Sequence, residues 1–416
     1  MASFSIPLSG LAATGEALNM ISNNLANMNT DGYKSQSANF LDLFYQNYGS
    51  DGAGDPIQVG AGTRVGSVAS NFGDGSLQNT GVNSNAAITG NGFFVTEQAN
   101  GTVEYTRAGD FTVNSAGQLV TVGGQTVMGY PAVNGVVNQA GGLSAIQVGP
   151  GQTSPPNATT TMQQQTTLNA SSTVGTTYST TQAVYDSLGE SHTLTFNYTM
   201  TAPNTWTYQV TLPAADTGGA GAPTVLATGT LNFDSNGNLT SPTGTVPVAI
   251  SGLADGAANM NVAWSLTTPT GNSLITQVAS ASTTATTNQN GYYSGTLQNF
   301  TIMQDGTVEG QFSNGQTQAL GQLALASFAN NQGLQLIGGT SYQATLSSGA
   351  AVIGTANSGG RGTITGGAVE QSNVNISQEF TNLIVVQRGF EADARVVTTF
   401  DSVSNSTINL QAQPGN

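Results

Sequence analysis

The two ends of the chain carry a hydrophobic pattern typical of helices. Near the start, Phe4, Leu8, Leu11, Gly15, Leu18 and Leu25 recur at spacings of three and four, with Ser22 as the polar exception. Near the end, Ile376, Phe380, Leu383, Phe390, Ala394 and Val397 follow the same spacing, with Gln387 as the interruption. These are the a and d positions of a coiled-coil seam. The pattern predicts two amphipathic helices that offer a helical pair to something else, including copies of the chain.

Two interpretations of these stripes stay open. Each helix could simply dock on the β body of its own chain. Alternatively, the helices could pack against identical neighbours. The N-terminal segment carries almost no charge beyond Glu16 and Asp31, and its outer side is made of Ser, Asn and Thr. A face of that kind packs against copies of itself without like-charge repulsion, which favours the second interpretation.

Between the ends, the pattern changes to short alternating runs. Residues 3–28 are expected to be helical, and the turn-forming run 27–32 ends the helix. The next segment, 31–71, is ambiguous between helix and strand and contains an aromatic cluster of Phe40, Phe44, Tyr45 and Tyr48. Strands are predicted at Phe93–Glu97, Thr102–Thr106, Phe111–Asn114 and Gln118–Val122, separated by Gly-containing turns.

A second β domain is predicted inside the first. Pro155, Pro156 and the Thr/Gln tract 159–167 suggest a boundary, and 280–290 suggests a return linker. Strand-like alternation is carried by Val184, Leu194, Phe196, Tyr198, Trp206, Tyr208, Val210, Leu231 and Phe233. Hairpins resume with turns at Asp305-Gly306 and Asn314-Gly315, and the low-complexity run 348–367 connects to the last helix, whose first turn Ser377 and Gln378 could cap.

The predicted fold is therefore mainly β with paired terminal α-helices, in a nested arrangement. We expect a terminal helical domain (1–30 with 370–416), a connecting segment (31–71), an inner β domain (72–150 with 288–366) and an inserted outer β domain (151–287). The two termini then belong to one unit.

Composition narrows the function. Only 6% of the 416 residues are charged, and the formal net charge is −15. The six basic residues are scattered, so no cationic patch for nucleic acid or an anionic membrane is expected. Cysteine is absent, and no apolar run reaches the length of a membrane span. The first residues lack a positive region and a cleavage site, so any export is expected to proceed without a cleaved secretory signal.

The candidate chemistry is weak. His192 is the only histidine, and although Ser187, Asp186 and Ser191 are close in sequence, adjacency is not triad geometry and no GxSxG motif is present. One histidine and no cysteine leave little for a transition metal. The run 234–238 lacks the Gly and Glu of an EF-hand and predicts a hairpin turn. The pairs Glu97/Glu104 and Glu370/Glu379 are interpreted as solvated surface carboxylates. No catalytic, cofactor or metal residue is predicted.

Several long motifs resemble a known family. The segments 24–34 (NLANMNTDGYK) and 370–396 (EQSNVNISQEFTNLIVVQRGFEADARV), with ITGNGFFV at 88–95, YTRAGDFTV at 105–113 and the run 117–130, are similar to the bacterial flagellar rod and hook proteins. The middle, VYDSLGESHTLTFNYT with Trp206 downstream and the run 313–334, resembles the hook members specifically. Two departures are Asn375, where such proteins often carry Asp, and Asp393, where Asn is common.

The resemblance implies a structural subunit, not an enzyme, that polymerises into the flexible tube between flagellar motor and filament. It implies no cofactor, an extracellular location, and the distal rod, hook cap, hook–filament junction protein and flagellar type III export apparatus as partners. Isolated helices of this length are marginal, so we expect them to order on assembly. The polymer-interface residues would be Leu8, Leu11, Leu18, Leu25, Phe380, Leu383, Phe390 and Val397.

Alternatives remain at this stage. A distal-rod subunit would form a stiff shaft. A secreted β-rich adhesin or glycan-binding protein would bind a glycan as a monomer and survive loss of both termini. An enzyme is a more distant alternative, for which His192 would be essential. The assembly hypothesis predicts that Leu18→Asp or Leu383→Asp leaves the β core folded and abolishes tubes.

Overall fold

A computed structural model describes residues 5–44 and 46–411, and it is mainly β with one helix near each end of the chain. This confirms the fold class expected from the sequence. The contacts divide the chain into two units. The first contains Met1–Gly149, Asn299–Gly310 and Gln318–Asn416, and the second contains Pro150–Gln298 and Gln311–Thr317. The finer four-part division stays a prediction.

The first part of the chain forms one helix and a series of short strands, all in the first unit. They are α1 (Ser5–Ala26), β1 (Gln36–Asp42), β2 (Gln46–Ser50), β3 (Pro56–Val59), β4 (Thr63–Ser70), β5 (Leu77–Asn79), β6 (Ala86–Thr89), β7 (Phe93–Glu97), β8 (Val103–Thr106), β9 (Thr112–Val113), β10 (Leu119–Val120), β11 (Thr126–Val133), β12 (Val136–Val137) and β13 (Ser144–Ala145). The ambiguous segment 31–71 thus forms the antiparallel pairs β1–β4 and β2–β3.

The middle of the chain forms the second unit. Its strands are β14 (Thr153–Ser154), β15 (Thr161–Asn169), β16 (Thr177–Tyr185), β17 (Ser191–Ala202), β18 (Thr205–Leu212), β19 (Thr224–Phe233), β20 (Leu239–Ser241), β21 (Thr245–Ile250), β22 (Met260–Ser265), β23 (Ile275–Val278) and β24 (Thr283–Gln289), with a 3₁₀ helix at Ala214–Thr217.

The rest of the chain lies mainly in the first unit, apart from the residues up to Gln298 and the segment Gln311–Thr317. The remaining elements are β25 (Gly295–Ile302), β26 (Thr307–Phe312), β27 (Thr317–Leu323), β28 (Leu325–Ser327), a 3₁₀ helix at Asn331–Gly333, β29 (Gln335–Gly338), β30 (Ser341–Gln343), β31 (Val352–Gly354), β32 (Thr363–Gly366), β33 (Ala368–Glu370) and α2 (Ile376–Gln411). The Asp305-Gly306 and Asn314-Gly315 turns join β25 to β26 and β26 to β27, which confirms them as hairpin turns.

The core of the first unit lies on a sheet in which the order β27-β11-β7-β8-β30-β29 mixes strands from both halves of the chain. Such pairing between remote strands explains why the termini share a unit. Phe94, Phe111, Leu119, Ile146, Leu323 and Ile364 form one buried cluster, and Phe93, Tyr105 and Tyr342 form another. The last strands of the chain return to the first ones, since β32 pairs with β6 and β33 pairs with β5.

The second unit contains two sheets, of order β16-β17-β18-β19-β20 and β21-β22-β15-β23, with β24 on the other edge of β15. Alternating side chains of β17, β18 and β19 enter one core with Trp206 and Trp264, both fully buried. Every residue of the predicted strand-like alternation, from Val184 to Phe233, is buried. That part of the sequence prediction is confirmed.

The two tracts expected to connect the domains form strands, while the predicted domain boundary beside Pro155 and Pro156 stays a prediction. The Thr/Gln tract 159–167, expected to be a domain boundary, contains most of β15, and the expected return linker 280–290 contains β24. These two strands pair antiparallel, and β15 buries every second residue (Met162, Gln164, Thr166 and Leu168). A strand is usually recognised by the alternation of apolar and polar residues. In β15 two of the buried positions hold Gln and Thr, so the apolar residues alone do not show the period of two.

The low-complexity run 348–367 also contains strands, β31 and β32, which pair with β28 and β6. Phe4 and Tyr45, named in the sequence prediction, and the side chain of Tyr48 lie outside the described part of the structure. Within residues 5–44 and 46–411, no helix has both the length and the apolar character needed to cross a membrane.

Candidate assembly interface

The two helices pack against each other in antiparallel orientation. Gly10 of α1 lies beside Asp393 of α2, Gly15 lies beside Phe390, and farther along Asn24 Nδ2 donates a hydrogen bond of 3.1 Å to Glu379 Oε1. Small residues at the contact let the helix backbones approach closely. Because α2 has 36 residues and α1 has 22, the C-terminal part of α2 extends past the described start of α1.

The first turn of α2 is capped by Asn375, whose Oδ1 accepts a hydrogen bond from Gln378 N at 3.2 Å. Ser377 and Gln378, expected as caps, lie inside the helix, so that prediction is wrong. An Asn side chain at the N-cap serves as well as an Asp would, because both offer the oxygen that the free N–H groups need. The other departure, Asp393, faces Gly10.

Asn24 joins the helix pair to the strands. It is fully buried, although it sits on the polar side of the predicted stripe. Its Nδ2 donates to Gln36 O (2.7 Å) as well as to Glu379, and its Oδ1 accepts from Gln36 N (2.9 Å) and from the Tyr33 hydroxyl (3.0 Å). Every hydrogen-bonding position of the side chain is used, so the amide fixes the exit of α1 relative to β1 and α2.

A buried ion cluster lies close to the segment that follows α1. Lys34 Nζ is 2.7 Å from Glu370 Oε1, and neither side chain is exposed. Arg107 Nε lies 3.3 Å from Glu370 Oε2, and Arg107 also pairs with Asp74 at 2.7 Å. Two cations and two carboxylates balance one another. Burial, followed by the charge of Arg107, lowers the pKa of Lys34, while Glu370 and Asp74 oppose that shift.

Glu370 corrects the sequence interpretation. It was expected to be a solvated surface carboxylate, and it is fully buried, as Glu104 nearly is, while Glu379 is half-buried and bonded to Asn24. Lys34, the ion-pair partner of Glu370, is 336 positions away in the chain. Sequence alone could not pair them, since the two residues meet only in the folded chain, where β33 pairs with β5.

The structure places the predicted interface residues on both sides of the helix pair. Leu8 (56% exposed), Phe380 (53%) and Phe390 (37%) are accessible to solvent. Leu11, Leu18, Leu25, Leu383 and Val397 are half-buried. The buried positions of α1 are instead Pro7, Ala13, Ala17, Ile21 and Asn24. A spacing of three and four residues fits several different faces of a helix, and these residues lie on another face than the predicted one. The role of the eight residues in a polymer stays a prediction.

Further exposed apolar residues lie outside the eight predicted interface positions. On the helices they are Ile6, Ile376, Ile384, Val385, Val396, Val403, Ile408 and Leu410, and near the helices Phe40, Leu41 and Phe44 are exposed as well. Val385 is 65% exposed. So many accessible apolar side chains on neighbouring elements exceed what a monomer usually shows and mark an interaction surface.

His192, at the start of β17, faces carboxylates rather than hydroxyl groups. Its Nδ1 is 3.1 Å from Asp216 Oδ2 and its Nε2 is 3.2 Å from Asp186 Oδ2. Ser187 Oγ accepts a hydrogen bond from Ala258 N instead. The Ser/His/Asp arrangement considered for the sequence is not formed by these residues.

Comparison with known proteins fits this architecture. Four family models match in succession along the chain: Flagella basal body rod protein (residues 6–34), Flagellar hook protein FlgE/F/G D1 domain (87–167), Flagellar basal body protein FlaE D2 domain (155–292) and Flagellar basal body rod FlgEFG protein C-terminal (365–410). The terminal matches fall on the two helices, and the D2 match falls in the second unit. These matches define the class as flagellar axial proteins.

Relatives identify the member of this class. The chain is 38% identical to the flagellar hook protein FlgE of Salmonella typhimurium, over 98% of this chain and 100% of that one. It is 36% identical to the protein of the same name in Escherichia coli, over 98% and 100%, and 33% identical to that of Treponema pallidum, over 97% and 98%. The crystal structure of Helicobacter pylori flagellar hook protein FlgE2 is similar at a TM-score of 0.48 and 16% identity, over 69% of this chain and 98% of that one.

The chain belongs to the flagellar hook protein family. It is a structural component of the bacterial flagellum rather than a member of an enzyme family.

Proposed function

We propose that the chain polymerises into the flagellar hook through its terminal helices, and that the row of exposed apolar residues on α2 forms the contact between copies. The observation that carries this proposal is Val385 with its neighbours Ile384 and Phe380, all more than half exposed on a helix whose other side already packs on α1. A second copy is the occupant that fits, because α1 carries a single charged residue, Glu16, and its polar face of Ser, Asn and Thr tolerates an identical neighbour.

The excess length of α2 supports the same proposal. Val403, Ile408 and Leu410 lie past the described start of α1 and are exposed by 57%, 58% and 75%. Burying one such side chain contributes roughly 1.5–3 kcal/mol. Several of them offset the ordering cost of a helix that is marginal when isolated. The predicted interface residues Leu8, Leu11, Leu18, Leu25, Phe380, Leu383, Phe390 and Val397 belong to this helical layer in the proposal.

The finer partners follow from the proposal. The polymer would begin on the distal rod, grow beneath a hook cap and end at the hook–filament junction protein. The chain would travel unfolded through the central channel by the flagellar type III apparatus, without a cleaved signal, and reach an extracellular location. The absence of cysteine supports this route, since no disulfide can form before assembly.

The test is Val385→Asp, compared with Val174→Asp. Val385 (65% exposed) and Val174 (64%) are equally accessible, but Val174 lies in the second unit, between β15 and β16. We expect Val385→Asp to fold normally and to raise the critical concentration for polymerisation at least tenfold, because a charge replaces about 1.5 kcal/mol or more of apolar burial. Val174→Asp should polymerise as the parent does. Sedimentation and negative-stain electron microscopy measure both.

Two outcomes would contradict the proposal: curved tubes from Val385→Asp at the parental concentration, or equal loss in both variants. Leu383→Asp adds a distinction, because Leu383 is half-buried and its replacement should also loosen the helix pair, which circular dichroism would detect.

A further inference from the structure

The only histidine of the chain lies where three separate segments bring carboxylates together. Asp186 belongs to the turn that joins β16 to β17, Asp216 belongs to the 3₁₀ helix Ala214–Thr217, and Asp255 belongs to the loop between β21 and β22. His192 is 5% exposed, and the Asp186 side chain is not exposed at all. Asp255 retains 28% exposure of its side chain, so the cluster is open to solvent on one side.

The cluster carries more negative charge than the ring can balance. A protonated imidazole with three ionised carboxylates leaves a net charge of −2. Asp186 and Asp255 also approach the same ring nitrogen, at 3.2 and 3.7 Å from Nε2, and lie within hydrogen-bonding reach of each other. Two carboxylates this close repel one another unless a proton or a cation lies between them. The net negative charge of the cluster therefore favours binding of a divalent cation over binding of a single proton.

The orientation of the ring suits such a cation. Nδ1 lies 3.1 Å from Asp216 Oδ2, so an Nδ1–H can donate to that carboxylate. The lone pair of Nε2 then points toward the Asp186 and Asp255 oxygens. Histidine ligands of metals are commonly held in this way, with the second nitrogen donating to a carboxylate. The contact with Asp216 sets the orientation of the ring independently of Asp186 and Asp255, which lie on the other side of the ring.

The spacing of the three ligand atoms fits as well. Two ligands at about 2.1 Å from a tetrahedral zinc ion are separated by about 3.4 Å. The Nε2 distances of 3.2 and 3.7 Å bracket this value, and the three ligand atoms lie within 4.8 Å of one another. Three protein ligands leave a fourth position for water, on the side where Asp255 is exposed.

We propose that His192, Asp186 and Asp255 bind a divalent transition ion of the zinc class in place of the Nε2 proton, with Asp216 as the positioning residue. The bound state has a net charge of −1 instead of −2. An imidazole ligand favours Zn²⁺ over Mg²⁺ and Ca²⁺, which prefer oxygen ligands alone. The ion would fasten the β16–β17 turn to the loop that carries Asp255, two segments already joined by the bond from Ala258 N to Ser187 Oγ.

The sequence alone does not indicate this metal site. One histidine and no cysteine argued against a transition metal, and Asp216 and Asp255 are too far along the chain to be associated with His192. The β16–β17 turn, the 3₁₀ helix and the loop between β21 and β22 bring the three carboxylates to His192.

The test uses the tag-free full chain, equilibrium dialysis against ZnCl₂, and long-range ¹H–¹⁵N NMR of the single imidazole. We expect one Zn²⁺ per chain, with the Nε2 resonance shifted and Nδ1 still protonated. Asp255→Asn should weaken binding at least tenfold and His192→Gln should abolish it. Asp234→Asn, which replaces an exposed turn carboxylate by an amide that keeps its hydrogen bonds to the backbone, should bind as the parent does.

Asp216 has a separate readout. Asp216→Asn should weaken binding by about ten- to a hundredfold and should also change the ratio of the two imidazole tautomers in the NMR spectrum without zinc, which a merely structural role would leave alone. An imidazole spectrum that does not respond to saturating zinc would overturn the proposal, whatever the variants do. Equal affinity in the parent and in Asp255→Asn would overturn it too.

Discussion

At the scale of single residues, Glu370 connects the two ends of the first unit. Its backbone carbonyl accepts a hydrogen bond from Gly32 N at 2.7 Å, and its Oε1 accepts from Lys34 Nζ and from Gly75 N. One residue beside α2 thus holds the turn that follows α1. The position of the helix pair depends on this contact, because α1 and α2 leave the strands at that point.

Lys34→Met tests the buried ion cluster. The change leaves Glu370 with Arg107 as its remaining charged partner, at 3.3 Å, and breaking a buried pair typically costs about 3–5 kcal/mol. We expect the far-UV circular dichroism melt of the full chain to show that loss. Arg64→Met, at an exposed position of β4, is the control and should change stability by less than about 0.5 kcal/mol. A loss under 1 kcal/mol for Lys34→Met would show that the cluster is not stabilising.

Gly32→Ala tests the turn itself. Gly32 has φ of +70°, and a Cβ there would lie 2.4 Å from Ala108 N, so both the conformation and the space require glycine. Gly81 has φ of +66° with open space around it. We expect Gly81→Ala to cost only the left-handed strain, about 1–2 kcal/mol. Gly32→Ala should cost clearly more and speed hydrogen exchange in α1. Equal losses would contradict the close contact with Ala108.

At the scale of elements, residue patterns predicted the apolar strands well and the polar ones poorly. The alternation of β17 and β18 was visible because Phe196, Tyr198 and Trp206 fill its buried positions. In β15 the buried positions include Gln164 and Thr166, which find partners only in the folded state. The Thr166 hydroxyl lies 3.0 Å from that of Thr284 in β24, and Gln164 Oε1 accepts from Tyr198. Those contacts are tertiary, so no local pattern announces them.

The helices show the same limit. Their existence and approximate ends followed from the three- and four-residue spacing, but the buried row of α1 did not. The predicted stripe ran through Leu8, Leu11 and Leu18, whereas burial follows Ala13, Ala17 and Ile21. A helix that packs on strands and on a second helix has more than one apolar row, and sequence alone does not rank them.

The His192 cluster gives the second unit a defined pH dependence when metal is removed with EDTA. Burial alone would lower the pKa of His192, but the hydrogen bonds and charges of Asp186 and Asp216 raise it above 6.5. Burial alone would raise the pKa of Asp186, but its hydrogen bonds with His192 and with the backbone amides of Glu190 and Leu188 lower it to about 2.

The signs follow from linkage. The His192 contribution is fully present below pH 6.5 and is lost as the pH rises through the raised pKa. The Asp186 contribution is present above pH 3.8 and is lost as the pH falls toward 2. We expect the second unit to be most stable between about pH 4 and 6.5.

Tryptophan fluorescence measures this directly, because Trp206 and Trp264, the two tryptophans of the chain, both lie in the core of the second unit. His192→Gln should flatten the decline above pH 6.5, since the chain has no cysteine and no other histidine to titrate there. A parental melting temperature that rises from pH 6.5 to 9 would contradict the assigned direction.

At the scale of the whole molecule, the fold separates two tasks. The second unit is connected to the first by the chain itself. It has its own core, which contains two buried tryptophans. The first unit carries the helices and most of the exposed apolar residues named above. Stability of each β core and assembly of the helices can therefore be changed by different substitutions.

The family and the nested order of the chain were predictable because long motifs lie at both ends. The ion cluster and the His192 cluster were not, since each joins residues from distant segments. A deletion that removes the helices has to spare the ion cluster, because Glu370 lies shortly before α2. Removing 370–416 would delete Glu370 and damage the first unit, whereas a chain of residues 27–375 keeps Lys34, Arg107 and Glu370 and loses only the helices.

The most direct measurement is negative-stain electron microscopy of the full chain and of residues 27–375, side by side in polymerising salt. We expect curved tubes from the full chain and dispersed particles from the shortened one, whose tryptophan fluorescence should show the parental unfolding transition. Tubes from residues 27–375 would contradict the assignment of assembly to the terminal helices.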